Sequence, residues 1–424
     1  MADLRCSLGG IPSPNPFWLA SAPPTDKAYN VARAFEAGWG GVVWKTLGED
    51  PPVINVSSRY GGISYRGQRM AGFSNIELIS DRPLHVNLAE IAQTKRDWPD
   101  RALVVSLMVP CREENWKAIL PRVEDTGCDG IELNFGCPHG MSERQMGSAV
   151  GQVPELVERV TGWCKRHTRL PVIVKLTPNI TDILVPAAAA RRGGADAVSL
   201  INTIQSITGV DLDRMVPMPV VDGLGTHGGY CGPAVKPIAL RMLGDIARDL
   251  PDLALSGIGG VATWRDAAEF IALGATNVQV CTAAMHHGFK IIDDLVDGLS
   301  NWMDEKGHAS LDTVRRRAVP QYVHWDDLNL HFRTVAAIDQ SLCIGCGICY
   351  IGCEDTSHQA IRPSRQAGGG NRYDVIDAEC VGCNLCHLAC PVEGCITMVP
   401  QPASSPPLTW KDHPANPLRR EPRS

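Results

Sequence analysis

Leu253-Ala-Leu-Ser-Gly-Ile-Gly-Gly260 is the stretch whose reading decides the fold. It starts as a short apolar strand-like run, Leu253–Gly257, and continues at once into the glycines of Gly257–Gly260. A Rossmann-like sheet would carry a Gly-x-Gly-x-x-Gly turn after an early strand, and no such fingerprint follows one here. A glycine run placed this late instead suits the phosphate site that a (β/α)₈ barrel builds after its seventh strand. Moving outward, residues 11–305 alternate between β-rich runs and amphipathic stretches, the pattern of βα units in a parallel sheet. Eight strands are expected: Phe17–Ser21, Gly41–Thr46, Ala102–Val109, Gly130–Phe135, Val172–Leu176, Ala197–Thr203, Leu253–Gly257 and Asn277–Thr282. Ala239, Leu243, Ile246 and Leu250 repeat at helical spacing, as do Ile292, Leu295, Leu299 and Trp302. Eight units favour a closed (β/α)₈ TIM barrel over 1–305.

Composition narrows the function classes. A net charge of −6 and a pI near 6.1 argue against nucleic acid or an anionic membrane as partner. No run of eighteen apolar residues occurs, and the N-terminus lacks the basic-then-apolar pattern of a secretory signal, so a cytoplasmic protein is expected. In a reducing compartment sixteen cysteines are not a disulfide framework. Eight are scattered and read as small apolar residues. Cys164, for instance, shares an apolar helix face with Leu156, Val157 and Val160.

The other eight are not scattered. Cys343, Cys346, Cys349, Cys353 and Cys380, Cys383, Cys386, Cys390 each read C-x₂-C-x₂-C-x₃-C, and Pro391 follows the second motif. Three thiolates so spaced wrap three corners of an iron–sulfur cubane, and the fourth reaches the other cluster. One [4Fe-4S] cluster is then expected on Cys343, Cys346, Cys349 and Cys390, the other on Cys380, Cys383, Cys386 and Cys353. Zinc needs four ligands per site and does not call for paired motifs of this spacing. Cys395 lies outside both motifs and reads as packing. Residues 338–400 form a ferredoxin-like α+β module, 306–337 a charged linker, and 401–424 a Pro-rich tail, extended or disordered.

Polar and glycine residues gather at the expected C-terminal strand ends, where barrel enzymes keep their catalytic groups. Lys45 ends the second strand, Asn134 and Cys137 the fourth, Lys175 the fifth, Asn202 and Thr203 the sixth, Gly259 and Gly260 the seventh, Cys281 and Thr282 the eighth. The connection 47–80 is long enough to be functional. The most distinctive segment is Glu132-Leu-Asn-Phe-Gly-Cys-Pro-His-Gly-Met-Ser-Glu-Arg144.

These segments resemble the dihydroorotate and dihydropyrimidine dehydrogenase families. Shared with the first are the Asn-x-x-Cys-Pro loop at Asn134–Pro138, Lys45-Thr46, and the fifth strand ending Lys175-Leu176. Three features draw the chain toward the second: His139-Gly140-Met141 after Pro138, Phe73-Ser-Asn-Ile-Glu-Leu-Ile-Ser80 with Lys175-Leu-Thr-Pro-Asn179, and the two-cluster module behind the barrel. The match is to the FMN/iron–sulfur subunit of the bacterial type, from about Leu19 to Val399. It implies FMN held by Ser21, Lys45, Asn134, Lys175, Asn202, Gly259, Gly260, Cys281 and Thr282. It implies uracil or thymine, or the dihydro forms, held by Asn75, Glu77, Asn134, Asn202 and Thr203, amides suiting a pyrimidine edge because each offers donor and acceptor. Gly136 departs from relatives that carry Ser there.

The reaction implied is reduction of the pyrimidine C5=C6 bond, hydride passing from FMN N5 to C6 and a proton from Cys137 to C5. A thiol of ordinary pKa, about 8.5, is a usable acid at neutral pH. No dinucleotide fingerprint is present, and with the resemblance this implies NAD(P)H and FAD on a partner subunit, in a heterotetramer of two plus two. A dihydroorotate-type dehydrogenase, with Arg144 as the substrate's cation, and a pure electron-transfer module are the alternatives. The glycine-containing loop Phe135–Gly151 is expected to act as a hinged lid.

Overall fold

The computed structural model describes residues 2–49, 54–65, 68–138, 145–366, 368–403 and 405–419. Pro51-Pro52 and the segment His139–Arg144, with the family signature and the alternative cation Arg144, lie outside the described residues. Two compact units result, Met1–Tyr322 and Val323–Ser424.

In the first unit eight parallel strands close into a barrel. They are β1 Phe17–Leu19, β2 Gly41–Leu47, β3 Ala102–Leu107, β4 Gly130–Asn134, β5 Val172–Lys175, β6 Ala197–Leu200, β7 Leu255–Ile258 and β8 Asn277–Val280. Each pairs with the next, and β8 pairs with β1 through Val278–Phe17 and Val280–Leu19. All eight expected strands are present, several one to three residues shorter at the rim. Barrel strands are covered on both faces and therefore read as continuous apolar runs. Gly41-Val-Val-Trp-Lys-Thr-Leu47 is buried throughout.

Among the described residues the longer helices around the strands are α1 Ala28–Ala37, α2 Leu84–Asp97, α3 Glu113–Glu124, α4 Pro154–His167, α5 Leu184–Arg192, α6 Lys236–Asp249, α7 Trp264–Ala272 and α8 Ile291–Glu305. Cys164 lies on the buried face of α4 with Val157 and Val160. The start of α7 is fixed by Thr263, whose hydroxyl accepts from Asp266 N while Asp266 reaches back to Thr263 N. This capping box satisfies two donors that a helix N-terminus leaves open.

Two rim connections leave the barrel and meet. The long one after β2 forms the hairpin Tyr60–Tyr65 with Gln68–Asn75. The one after β6 adds Ile204–Ser206 and Gly228–Cys231, giving a four-stranded antiparallel sheet. No hydrophobic pattern in 204–231 marks these strands, because each is only three or four residues long and rests on a partner far away in sequence.

The stretch expected as a linker is divided. Through Tyr322 it belongs to the barrel unit, where Leu311 and Val314 are buried in the main core and Tyr322 Oη donates to Asp245 Oδ1 at 2.8 Å. From Val323 onward it belongs to the second unit. That unit pairs Thr334–Ile338 with Ile396–Pro400 and Ile361–Arg365 with Asn371–Val375, and carries the helices Ile348–Thr356 and Leu385–Ala389. The described part of the tail is not simply extended. It returns to 325–331, with Leu330 N donating to Leu408 O at 2.8 Å and Trp410 packing 6.4 Å from Trp325. Among the described residues no helix is long and apolar enough to cross a membrane.

Candidate active site

A cleft of about 1260 Å³, part of it open to solvent, lies over the C-terminal ends of the barrel strands. Every proposed cofactor, substrate and acid residue of the barrel lines it: Ser21, Lys45, Asn75, Glu77, Asn134, Cys137, Lys175, Asn202, Thr203, Gly259, Gly260, Cys281 and Thr282. Residues separated by more than 250 positions meet there because strand ends around a closed barrel share one rim.

Two of the amides, Asn134 and Asn202, form a connected chain with Thr46. Asn134 Nδ2 donates to Thr46 Oγ1 at 3.0 Å, and Thr46 in turn bonds Ser21 and Ser106, each at 3.0 Å. Asn202 Nδ2 donates to Asn134 Oδ1 at 3.0 Å, while Asn202 Oδ1 accepts from Thr203 N at 2.8 Å. Asn75 bridges the excursions, its Nδ2 donating to Gly229 O at 3.1 Å and its Oδ1 accepting from Glu77 N at 3.2 Å. An amide NH₂ has two hydrogens, so Asn134 and Asn202, each with one engaged, keep a second for a ligand carbonyl.

The cations are buried and counterbalanced. Lys45 Nζ stands 2.6 Å from Glu77 Oε1 and 3.7 Å from Asp26 Oδ2. Glu77 also takes Arg59 Nε and, at 2.8 Å, the Tyr60 hydroxyl. Burial raises the Asp26 carboxyl, offset in part by the Lys45 charge. Lys175 Nζ lies 3.6 Å from Glu132 Oε1. Glu132 is fully buried inside the barrel, and its other oxygen accepts from Ser199 Oγ at 2.8 Å.

Cys137 is buried with Ile79, Met108 and Met146. The loop it begins is closed at its base, Ser148 N donating to Cys137 O at 3.0 Å. Gly136 has a steric reason to differ from serine. A Cβ there would lie 2.5 Å from Asn202 Cβ. The neighbouring thiols differ in character from a reactive cysteine. Burial pushes Cys281 up to about 12 and Cys231 up to about 11, so both are neutral and act as packing and weak hydrogen-bonding groups. Thr282 Oγ1 donates to Cys231 Sγ at 3.3 Å.

The cleft suits a flavin phosphate and ring. Gly259 and Gly260 have φ of +122° and +78°, which favours glycine, and a Cβ on Gly260 would come within 2.8 Å of Lys236 Cβ. Both glycines line the cleft. Gln279 Oε1 and His286 Nε2 also line it, are buried, and have no hydrogen-bond partner among the described residues. Orphaned polar atoms of this kind mark a site that takes a polar ligand. Burial and the neighbouring His287 lower the His286 pKa, keeping that imidazole neutral.

Sequence reasoning missed Asp26, Arg59, Tyr60, Phe73, Cys231 and His286. The length of the 47–80 connection pointed to the region of Arg59, Tyr60 and Phe73, whereas Cys231 and His286 carry no local signal. Phe73 stacks on Tyr60 at 5.3 Å and meets His286 edge-on at 5.5 Å, walling one side of the cleft.

In the second unit two hollows collect the motif cysteines. Cys343, Cys346, Cys349 and Cys390 line one, together with Cys395. Cys353, Cys380, Cys383 and Cys386 line the other. The fourth cysteine of each motif thus crosses to the hollow of the other. Among the described residues no three His, Cys, Asp or Glu side chains converge as a single-ion site would need. Thiolates spread around a hollow fit a multi-iron cluster.

Comparison with known proteins agrees with this division. The dihydroorotate dehydrogenase family model matches residues 75–303, and a 4Fe-4S dicluster domain matches 336–398. The chain is 42% identical over 367 residues to the NAD-dependent dihydropyrimidine dehydrogenase subunit PreA of Escherichia coli, covering 86% of this chain and 88% of that one. It is 42% identical over 337 residues to the chloroplastic dihydropyrimidine dehydrogenase (NADP(+)) of Arabidopsis thaliana, covering 77% and 79%. A crystal structure of ligand-free dihydroorotate dehydrogenase from Eimeria tenella shares the fold, with a TM-score of 0.62 at 19% identity over 75% of this chain and 92% of that one. The chain belongs to the dihydroorotate dehydrogenase family, in the dihydropyrimidine dehydrogenase group that carries a 4Fe-4S dicluster domain behind the barrel.

Proposed function

We propose that this chain is the pyrimidine-reducing subunit of a dihydropyrimidine dehydrogenase, saturating the C5=C6 bond of uracil or thymine. The observation that carries the reading is the convergence on one cleft of a buried thiol, the linked amides Asn134 and Asn202 with Asn75 beside them, and the paired glycines Gly259 and Gly260. Spare amide hydrogens suit the two carbonyls of a pyrimidine.

When bound, FMN supplies the hydride for C6, and the two clusters supply electrons one at a time. The chain's own residues do the rest. Cys137 Sγ gives its proton to C5, from a pocket in which Met108, Met146 and Ile79 limit water. Asn75, Asn134, Asn202 and Thr203 hold and orient the ring, Asn202 being fixed by Asn134 and by Thr203 N. Glu77, already engaged by Lys45, Arg59 and Tyr60, acts through the charge it gives that cluster and through its remaining acceptor capacity. Lys45 and Lys175 bring positive charge to the cleft, with Ser21 beside them, where negative charge would build during reduction. Gly259, Gly260, Cys281 and Thr282 hold the phosphate. Cys343, Cys346, Cys349 and Cys390 hold one [4Fe-4S] cluster and Cys353, Cys380, Cys383 and Cys386 the other.

A partner subunit with FAD and an NAD(P)H site, two copies of each chain, and a cytoplasmic setting complete the proposal. The deciding experiment is anaerobic. The purified chain, loaded with FMN and clusters and reduced by viologen, is mixed with uracil, and flavin reoxidation is followed with product analysis. Stoichiometric dihydrouracil is the expected result. Reoxidation by orotate but not uracil would favour the dihydroorotate chemistry, and no reoxidation by either would leave an electron-transfer module.

A further inference from the structure

In each cysteine hollow the fourth cysteine of a motif is followed along the chain by a buried pair that lines the same hollow and whose isoleucine opens a strand. After Cys353 the pair is Ala360-Ile361, and after Cys390 it is Cys395-Ile396. All four residues are at most 4% exposed. The fold therefore offers the same place twice, filled once by a methyl group and once by a thiol.

The main-chain hydrogen bonds at these two places differ. Ala360 N donates to Cys353 Sγ at 3.3 Å. Cys395 N is turned away to Val392 O, also at 3.3 Å. The backbone donor that serves a cluster sulfur in one hollow is thus missing at the matching place in the other, and a thiol stands there. Cys395 packs with Cys343 and Cys390 and lines the hollow that these two share with Cys346 and Cys349. Its other neighbour is Asp339 O, 3.7 Å from Sγ. A thiol has one proton to give, and an anionic sulfur accepts more strongly than a neutral carbonyl at that distance.

We propose that the Cys395 thiol is a tuning residue, donating a hydrogen bond to a sulfur of the cluster held by Cys343, Cys346, Cys349 and Cys390 and so raising that cluster's reduction potential. Hydrogen bonds to cluster sulfurs favour the reduced, more negative state. Cys395 is not a ligand, because four thiols already complete the set. The inference rests on the ligand assignment given above. Its role is to separate two clusters that otherwise sit in similar hollows, giving electrons a preferred order of residence.

The test uses the full chain, purified anaerobically, with iron and sulfide counted before an EPR-monitored redox titration. Cys395→Ala copies the arrangement at Ala360. It should keep about eight iron per chain and lower one of the two midpoints by roughly tenfold in its reduction equilibrium, about 59 mV for one electron. Cys395→Ser retains an O–H donor and should stay nearer the wild type. Ala360→Cys should raise the other midpoint. Midpoints unchanged in both Cys395→Ala and Ala360→Cys would overturn the proposal. So would loss of about half the iron from Cys395→Ala, which would make Cys395 a ligand. A wild-type chain without two clusters would overturn the ligand assignment itself, and that is known before any titration begins.

Discussion

The barrel cleft and the cysteine hollows achieve chemistry by opposite means. In the cleft the functional groups come from many separate segments rather than from one motif. Ser21, Lys45, Asn75, Cys137, Lys175, Asn202, Gly259 and Thr282 arrive from eight places along some 260 residues, and a large buried core holds them in register. In the second unit each hollow takes three cysteines from one seven-residue run, and two of the eight, Cys346 and Cys383, are exposed. The core behind them is six residues: Ala336, Cys349, Ile361, Tyr373, Cys395 and Ile396. A domain so small cannot bury enough apolar surface to be robust alone, so metal–thiolate bonds must supply much of its stability. The barrel's large buried core is expected to hold it without a cofactor. The cluster unit is completed by its own.

Four measurements can break or sharpen this contrast. The largest effect is expected from Cys137→Ala, which should cut uracil turnover by about 10²–10⁴-fold, the usual cost of a missing general acid. FMN and iron content should be unchanged, and a variant that still turns over near the wild-type rate would remove Cys137 from the chemistry. Next comes iron removal under reducing conditions with a chelator. Limited proteolysis should then degrade 323–419 while the barrel fragment ending near Tyr322 survives. Equal resistance of both units would contradict the proposed division of stability.

Glu132→Gln should have a smaller but still clear effect. It leaves the buried Lys175 ammonium without its counter-charge, and breaking a buried pair typically costs about 3–5 kcal/mol of stability. Chemical denaturation of the barrel unit measures it, and a cost below 1 kcal/mol would mean that the pair is dispensable. The smallest effect is expected from Gly136→Ala. Its new methyl would press on Asn202 Cβ and should cost about 1–3 kcal/mol, with a raised KM for uracil as the Asn202–Asn134 bond is pushed out of line. An unchanged KM would show that Asn202 does not orient the ring.

Much of this molecule was determined by sequence alone, and the reason is locality. Barrel strands buried on both faces must be apolar runs, so all eight could be read from residues such as Gly41–Thr46 and Val172–Leu176 without any partner. The cysteine spacing is a ligand geometry written in one dimension, and the crossing of Cys353 and Cys390 follows from it. The rim residues were legible because the last polar residue of a barrel strand has few places to point other than the cleft. Only the tertiary structure could decide what depends on distant partners. The strands at 204–206 and 228–231 exist because they pair with each other and the second also pairs with 73–75. Glu77 pairs with Lys45, and Glu132 faces Lys175, only once the chain is closed. The segment 306–322 reads as a charged linker until Leu311 and Val314 find the barrel core. Cys395 reads as packing until its twin position proves to be alanine and the backbone donor beside it proves to be turned away. Short-range patterns are fixed by the chain's own periodicity, whereas hydrogen bonds, ion pairs and burial between distant segments come into being only when folding brings those segments together.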